Sequence, residues 1–296
     1  MPNEMPPGGG FLNLLKPPGM TSHDVISLAR RVLREKKIGH AGTLDPAAAG
    51  VLPVAVGQAT RLIEYLEQAD KSYRVEMKFG FSTDSGDDTG RILSSVSSFT
   101  MPSKEEIRNV LNRFTGSIRQ TPPAYSAIKI QGKRACDLIR QGREVKLPSR
   151  TVNIYRLALL SWTPERILLD VDCSKGTYIR SLCQDIGQAL DLPAVMTFLV
   201  RRRVGDFRLE DALSLEELAQ QKGKALLAPA SLLSHLARYD LAPSRERAFC
   251  NGLRTHDALY VPVTDLLRVY AADRFIGIGR YDRSGKEIVP VKVIQR

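Results

Sequence analysis

Residues 39–50, GHAGTLDPAAAG, constrain this chain more than any other stretch. Neither a helix nor a strand accommodates glycines at 39, 42 and 50 together with a proline at 46, so the segment predicts a shaped loop. Asp45 precedes Pro46, which drives it toward extended backbone. The surrounding glycines let a ligand approach the main chain closely. The apolar run Val51–Val56 that follows predicts a buried element.

The pattern on either side alternates between helical and extended periods. Leu12–Lys16 is a short apolar run stopped by Pro17, Pro18 and Gly19. Thr21 followed by Asp24 is a capping box. Val25, Ile26, Leu28, Ala29, Val32 and Leu33 then recur at helical spacing, with Arg30, Arg31 and Arg34 on the other face and Gly39 expected to close the helix. Tyr73, Val75, Met77 and Phe79 alternate with charged residues as a half-buried strand does. The acidic loop Ser82–Gly90 follows. Ser103 with Glu106 and Ser214 with Glu217 predict two further helix starts. Strands are expected near 152–162 and 166–173, and a helix carries Ile179, Leu182, Cys183, Ile186 and Leu190. From about residue 245 short β-like runs (Leu259–Val263, Leu266–Tyr270, Phe275–Ile278, Ile288–Ile294) predict a small β domain.

With 296 residues and 43% hydrophobic content the chain has enough apolar surface for two domains. Lys and Arg number 43 against 32 Asp and Glu, a formal charge of +11, which favours a polyanionic partner such as nucleic acid. No apolar run approaches the roughly 18 residues of a spanning helix. The lead-in MPNEMPPGGG has neither the charge nor the apolar core of a signal peptide. The cysteines at 136, 173, 183 and 250 contain no C-x-x-C pair and fit reduced thiols better than disulfides or a zinc site.

Phosphate-loop, zincin and nucleophile-elbow patterns are absent, and Asp84–Asp88 lacks calcium-loop spacing. Taken singly, Asp45 also reads as a turn former, His40 as a loop histidine, Tyr73 as a core residue and Arg180 as a surface residue at a helix start.

Together they form an ordered set of blocks. Residues 39–61, GHAGTLDPAAAGVLPVAVGQATR, resemble the signature of the bacterial tRNA pseudouridine-55 synthase family, TruB. LNLLKPPGMTSHD (12–24) resembles its N-terminal motif, and KSYRVEMKFGFSTDSGDDTG (71–90) its tyrosine strand and acidic loop. QTPPAYSAIKIQGKRACDLIRQG (120–142) is similar to its RNA-contacting thumb. CSKGTYIRSLCQDIG (173–187) and FLVRRRVGDF (198–207) resemble its arginine and leucine-arginine segments. The chain departs from the pattern at Cys136-Asp137, where a Leu-Tyr type pair is frequent, and at Val200, where an arginine is common.

The resemblance implies an α+β fold: a mixed, largely antiparallel sheet core with flanking helices, and a small C-terminal β domain of PUA type. It implies a lead-in over 1–10, a catalytic domain over 11–240 with the thumb at about 119–150, and the PUA-like domain over 245–296. The implied reaction converts uridine 55 in the T loop of tRNA to pseudouridine without cofactor or metal. Asp45 is then the catalytic carboxylate, attacking C1′ or assisting departure of uracil. Arg180 pairs with it, and Tyr73 stacks on the base. His40 contacts the flipped nucleotide, Tyr178 and Leu199 line the pocket, Lys16 and Pro17 pack under the loop, and Asp87 is a second carboxylate near Arg180. Thumb cations and Arg201–Arg203 are expected on phosphates. The T arm of tRNA is the implied partner. A cytoplasmic monomer is expected, with no membrane and no obligatory protein partner. The RNA-guided archaeal and eukaryotic synthases share the signature, and a non-catalytic RNA chaperone is the other reading; the Asp45, Tyr73 and Arg180 set argues against a pure binder.

Overall fold

The computed structural model describes residues 9–123, 125, 129–130, 133–134, 147–234 and 236–294. It forms two compact units, one of Met1–Pro46, Gly50–Glu67 and Gly205–Arg296, the other of Ala47–Ala49 and Gln68–Val204. The thumb positions Cys136, Asp137, Arg140 and Arg143 lie outside the described residues, as does most of the expected lead-in, although Gly10 already opens the first strand.

In the first unit, β1 (Gly10–Lys16) pairs antiparallel with β3 (Ala49–Val56), and β2 (Ile38–His40) pairs with the far end of β3. The helix Ser22–Leu33 starts as its sequence dictates: Thr21 accepts from the Asp24 amide, and the Asp24 carboxylate accepts from the Thr21 amide at 2.8 Å. Its end differs from expectation. Arg34 takes the left-handed conformation at φ 54° and stops the helix, while Gly39 lies in β2. The apolar face of this helix (Val25, Ile26, Ala29, Leu33) packs with Leu12, Leu14, Leu52 and Val54 into one core. Burial of this kind contributes on the order of 25 cal/mol per Å² of apolar surface.

In the second unit five strands run in the order β12-β4-β11-β10-β7: β4 (Lys71–Phe79), β7 (Gly116–Gln120), β10 (Arg150–Trp162), β11 (Arg166–Cys173) and β12 (Ala194–Val204), every neighbouring pair antiparallel. Two short hairpins, β5 (Phe81–Thr83) with β6 (Ile92–Ser95) and β8 (Lys129–Ile130) with β9 (Lys133–Arg134), lie outside this order. Tyr73, Val75, Met77 and Phe79 are the buried face of β4, as their alternation predicts. The helices Lys104–Arg113, capped by Ser103 and Glu106, and Ile179–Ala189 belong to this unit.

The short β13 (Phe207–Arg208) and the helix Leu215–Gln221, capped by Ser214 and Glu217, return the chain to the first unit. Its C-terminal sheet runs β14-β16-β17-β18-β15, from β14 (Ala237–Leu241), β15 (Thr255–His256), β16 (Leu266–Ala271), β17 (Arg274–Asp282) and β18 (Glu287–Val293). Leu259–Val263 forms no strand, contrary to its β-like composition. Tyr260 turns inward against Tyr239 and Tyr281, leaving Leu259 and Val261 exposed. The architecture is therefore α+β, largely antiparallel, with a β sheet at the C-terminus. No described helix is long and apolar enough to cross a membrane.

Candidate active site

Lys16, His40 and Asp45 belong to the first unit. β1 and β3 pair so that Lys16 faces Gly50, which places the lysine at the strand end where the glycine-rich loop enters. Gly42 and Gly50 have φ of 85° and 115°, a conformation that costs an L-residue strain, so the glycines set the path of the loop. Lys16 is fully buried, and its ammonium donates to the Pro17 carbonyl at 2.8 Å and the Pro46 carbonyl at 3.1 Å. The Gly19 amide donates to the same Pro46 oxygen at 2.9 Å. On the other side of Asp45, the Ser22 hydroxyl accepts from the Leu44 amide at 3.0 Å and donates to the Leu44 carbonyl at 3.2 Å. Both peptide neighbours of Asp45 are thus pinned by buried donors, while Asp45 itself is partly exposed. His40 ends β2 opposite Val54, and the next amide, Ala41, donates to Pro53.

Tyr73, Asp87, Tyr178, Arg180 and Leu199 belong to the second unit. Arg180 is the second residue of the helix Ile179–Ala189 and is 7% exposed, not a surface residue. Its guanidinium donates to the carbonyls of Ser85 at 2.9 Å and Tyr125 at 3.0 Å, and stands 3.9 Å from the Asp87 carboxylate. Asp87 also accepts from the hydroxyls of Ser85 at 2.6 Å and Thr89 at 2.7 Å. Burial pushes its carboxyl up, but these hydroxyls and the Arg180 cation outweigh burial and leave its pKa below the usual value. The acidic loop is therefore a fixed socket for Arg180. Its neighbouring amides are tied to β12: Asp88 donates to Met196 and Met196 to Gly86.

Tyr178 precedes that helix. Gln120, buried at the end of β7, holds its backbone from both sides, accepting from the Tyr178 amide at 2.7 Å and donating to its carbonyl at 3.0 Å. The Arg150 guanidinium lies 4.7 Å from the ring centroid, a cation–π contact. Leu199 faces Val75 and Arg201 faces Tyr73 across β12 and β4, so the four share one buried sheet face.

Two residues with a part in this arrangement were not expected. Gln120 carries no sequence signal beyond opening the thumb-like block 120–142. Arg201 is 1% exposed, and its guanidinium hydrogen-bonds the Tyr73 phenol. Its expected place among phosphate contacts is corrected: strand alternation with buried Leu199 turns it inward. Arg202 and Arg203 are partly exposed and engage Asp170 and Ser72. The described thiols are unbridged, and burial pushes Cys173 up to about 11 and Cys183 up to about 12, which makes them poor nucleophiles at neutral pH.

Residues 30–179 match the family model described as TruB family pseudouridylate synthase (N terminal domain), and residues 180–236 match that of the tRNA pseudouridylate synthase B C-terminal domain. A tRNA pseudouridine synthase B of Heliobacterium mobile is 50% identical over 250 residues, covering 82% of this chain and 80% of the relative. One of Caldanaerobacter subterraneus subsp. tengcongensis is 43% identical over 288 residues, covering 96% and 98%. Among solved structures, a chain of an H/ACA RNP bound to a substrate RNA containing 2′-deoxyuridine is similar with TM-score 0.74 and 27% identity, over 97% of this chain and 85% of that one.

Proposed function

Since the chain belongs to the TruB family of pseudouridine synthases, we propose that it isomerises uridine 55 in the T loop of tRNA, with Asp45 as the catalytic carboxylate. The observation that carries this reading is the pinned loop around Asp45, with buried donors on both peptide neighbours. A carboxylate that must act on one sugar carbon needs its backbone fixed before the substrate arrives.

The reaction breaks the N1–C1′ bond, turns the uracil and joins C5 to C1′; C5 loses a proton and N1 gains one. Reactant and product are isomers, so no external oxidant, reductant or energy source enters. Asp45 attacks C1′ or assists departure of the uracil. Tyr73 stacks on the base, Tyr178 and Leu199 line the pocket, and His40 contacts the extruded nucleotide. Arg180 keeps the catalytic carboxylate ionised and oriented, with Asp87 as the second carboxylate that holds Arg180. The target must leave its stack, at a few kcal/mol, and phosphate contacts from the basic chain offset that cost.

Residues 11–240 are assigned the catalysis and 245–296 a PUA-like RNA-binding role. The partner is the T arm of tRNA, and the protein works as a cytoplasmic monomer. Tritium release from C5-labelled uridine in a T-arm RNA tests the reading. Release by the wild type and none by Asp45→Asn, with RNA binding retained, is the expected result. Tight binding without release by either protein supports instead the chaperone reading, in which RNA is bound and not modified.

A further inference from the structure

Arg201 is a large side chain on β12 buried to 1% exposure, and a buried cation is retained only where its donors find partners. It sits directly across from Tyr73 in the β12–β4 register, and its guanidinium donates to the Tyr73 hydroxyl. Tyr73 is itself 7% exposed, and Val171 faces it from β11 on its other side. A phenol hydroxyl has one donor and two acceptor sites. With Arg201 on an acceptor site, the hydroxyl end of the ring cannot swing away from its place across the two strands without losing a charge-assisted hydrogen bond. The planar guanidinium also fixes where the phenolic hydrogen points.

We propose that Arg201 is a positioning residue for Tyr73: a buried guanidinium, on the strand next to the tyrosine, that holds the phenol hydroxyl, and so the far end of the ring, in one place for the uridine it stacks on. This rests on the reading of Tyr73 as the base-stacking residue of a pseudouridine synthase. Nothing in the leucine-arginine segment's composition separates Arg201 from Arg202 and Arg203. The separation is geometric, since Arg202 bonds the Asp170 carboxylate and Arg203 the Ser72 hydroxyl, both partly open to solvent.

The test uses the full chain and a T-arm RNA in single-turnover assays of wild type, Arg201→Met, Arg201→Lys, Tyr73→Phe and the Arg201→Met/Tyr73→Phe double variant. Methionine keeps an unbranched apolar stem in the buried site and removes the guanidinium. Arg201→Met is expected to slow the isomerisation roughly tenfold, the size of one lost hydrogen bond to a charged group, with RNA affinity unchanged. Lysine, which keeps a donor, recovers part of that loss. In the Tyr73→Phe background Arg201→Met adds no further loss, because the hydroxyl it acts through is already gone.

A second readout needs no substrate. With 3-fluorotyrosine at position 73 the fluorine lies ortho to the hydroxyl, and Arg201→Met is expected to shift its resonance away from the wild-type position, because the hydroxyl has lost its donor. Multiplicative rate losses in the double variant, or an unchanged fluorine line with an unchanged rate in Arg201→Met, overturn the proposal. If the wild type makes no pseudouridine on this RNA, the proposed function fails; the fluorine line then still decides whether Arg201 holds Tyr73.

Discussion

The Asp87 carboxylate accepts from Ser85 and Thr89 and faces Arg180, and its folded pKa is depressed despite burial. A depressed carboxyl stabilises the native state fully above its unfolded value, about 3.9, and that contribution disappears as pH falls through the lower folded value. Asp87→Asn is therefore expected to lower stability by about 1 kcal/mol at neutral pH. The difference from wild type should shrink below about pH 4, which urea unfolding at several pH values measures; a constant difference down to acid pH would contradict the ionic account. Lys16 gives a second prediction. Lys16→Met removes a buried donor from the Pro17 and Pro46 carbonyls, at a cost of about 2 kcal/mol. It should lower the single-turnover rate more than RNA affinity, since it loosens the loop that carries Asp45. Equal losses in rate and affinity would place Lys16 in RNA binding instead.

The helix Ser22–Leu33 links a local sequence signal to the site. Its cap is fixed by Thr21 and Asp24, and its first residue, Ser22, reaches the two polar groups of Leu44 beside Asp45. Thr21→Ala should cost about 1 kcal/mol of stability through the cap, with catalysis almost unchanged. Ser22→Ala strands a buried amide and carbonyl and should cost about 1–3 kcal/mol together with a clear loss of rate. Denaturation midpoints and single-turnover rates of the two variants separate helix stability from loop support; matching rate losses would refute that separation. The second unit achieves the same end differently. Gln120 on a strand end fixes the Tyr178 backbone, and the acidic loop fixes Arg180.

The whole molecule carries a formal charge of +11. RNA affinity is expected to fall steeply with salt, and Lys133→Ala should reduce the slope of log K against log salt by about one while lowering affinity evenly across RNA sequences. Arg201→Met should leave that slope alone, because the buried guanidinium meets no phosphate counterion atmosphere. A slope change in Arg201→Met, or none in Lys133→Ala, would reverse the assignment of these cations.

Helix starts, the β4 alternation and the glycine-rich loop were legible in the sequence because each is decided within a few residues. A capping box closes two hydrogen bonds across three positions, as Thr21, Ser103 and Ser214 all do. The family and its reaction were legible for a related reason: each of the ordered blocks is a short run of neighbouring residues. Other features depended on partners distant in sequence. Gly39 closes no helix because β3 recruits it into β2. Leu259–Val263 forms no strand because Tyr260 is claimed by Tyr239 and Tyr281. In Arg201-Arg202-Arg203 three identical side chains meet three different fates, since strand pairing turns the first onto Tyr73 and the others toward Asp170 and Ser72. The sequence by itself determined the family and where the capped helices begin. Only the tertiary structure decided which of the arginines is buried and what it holds, because burial of a charge depends on long-range neighbours that supply its hydrogen bonds.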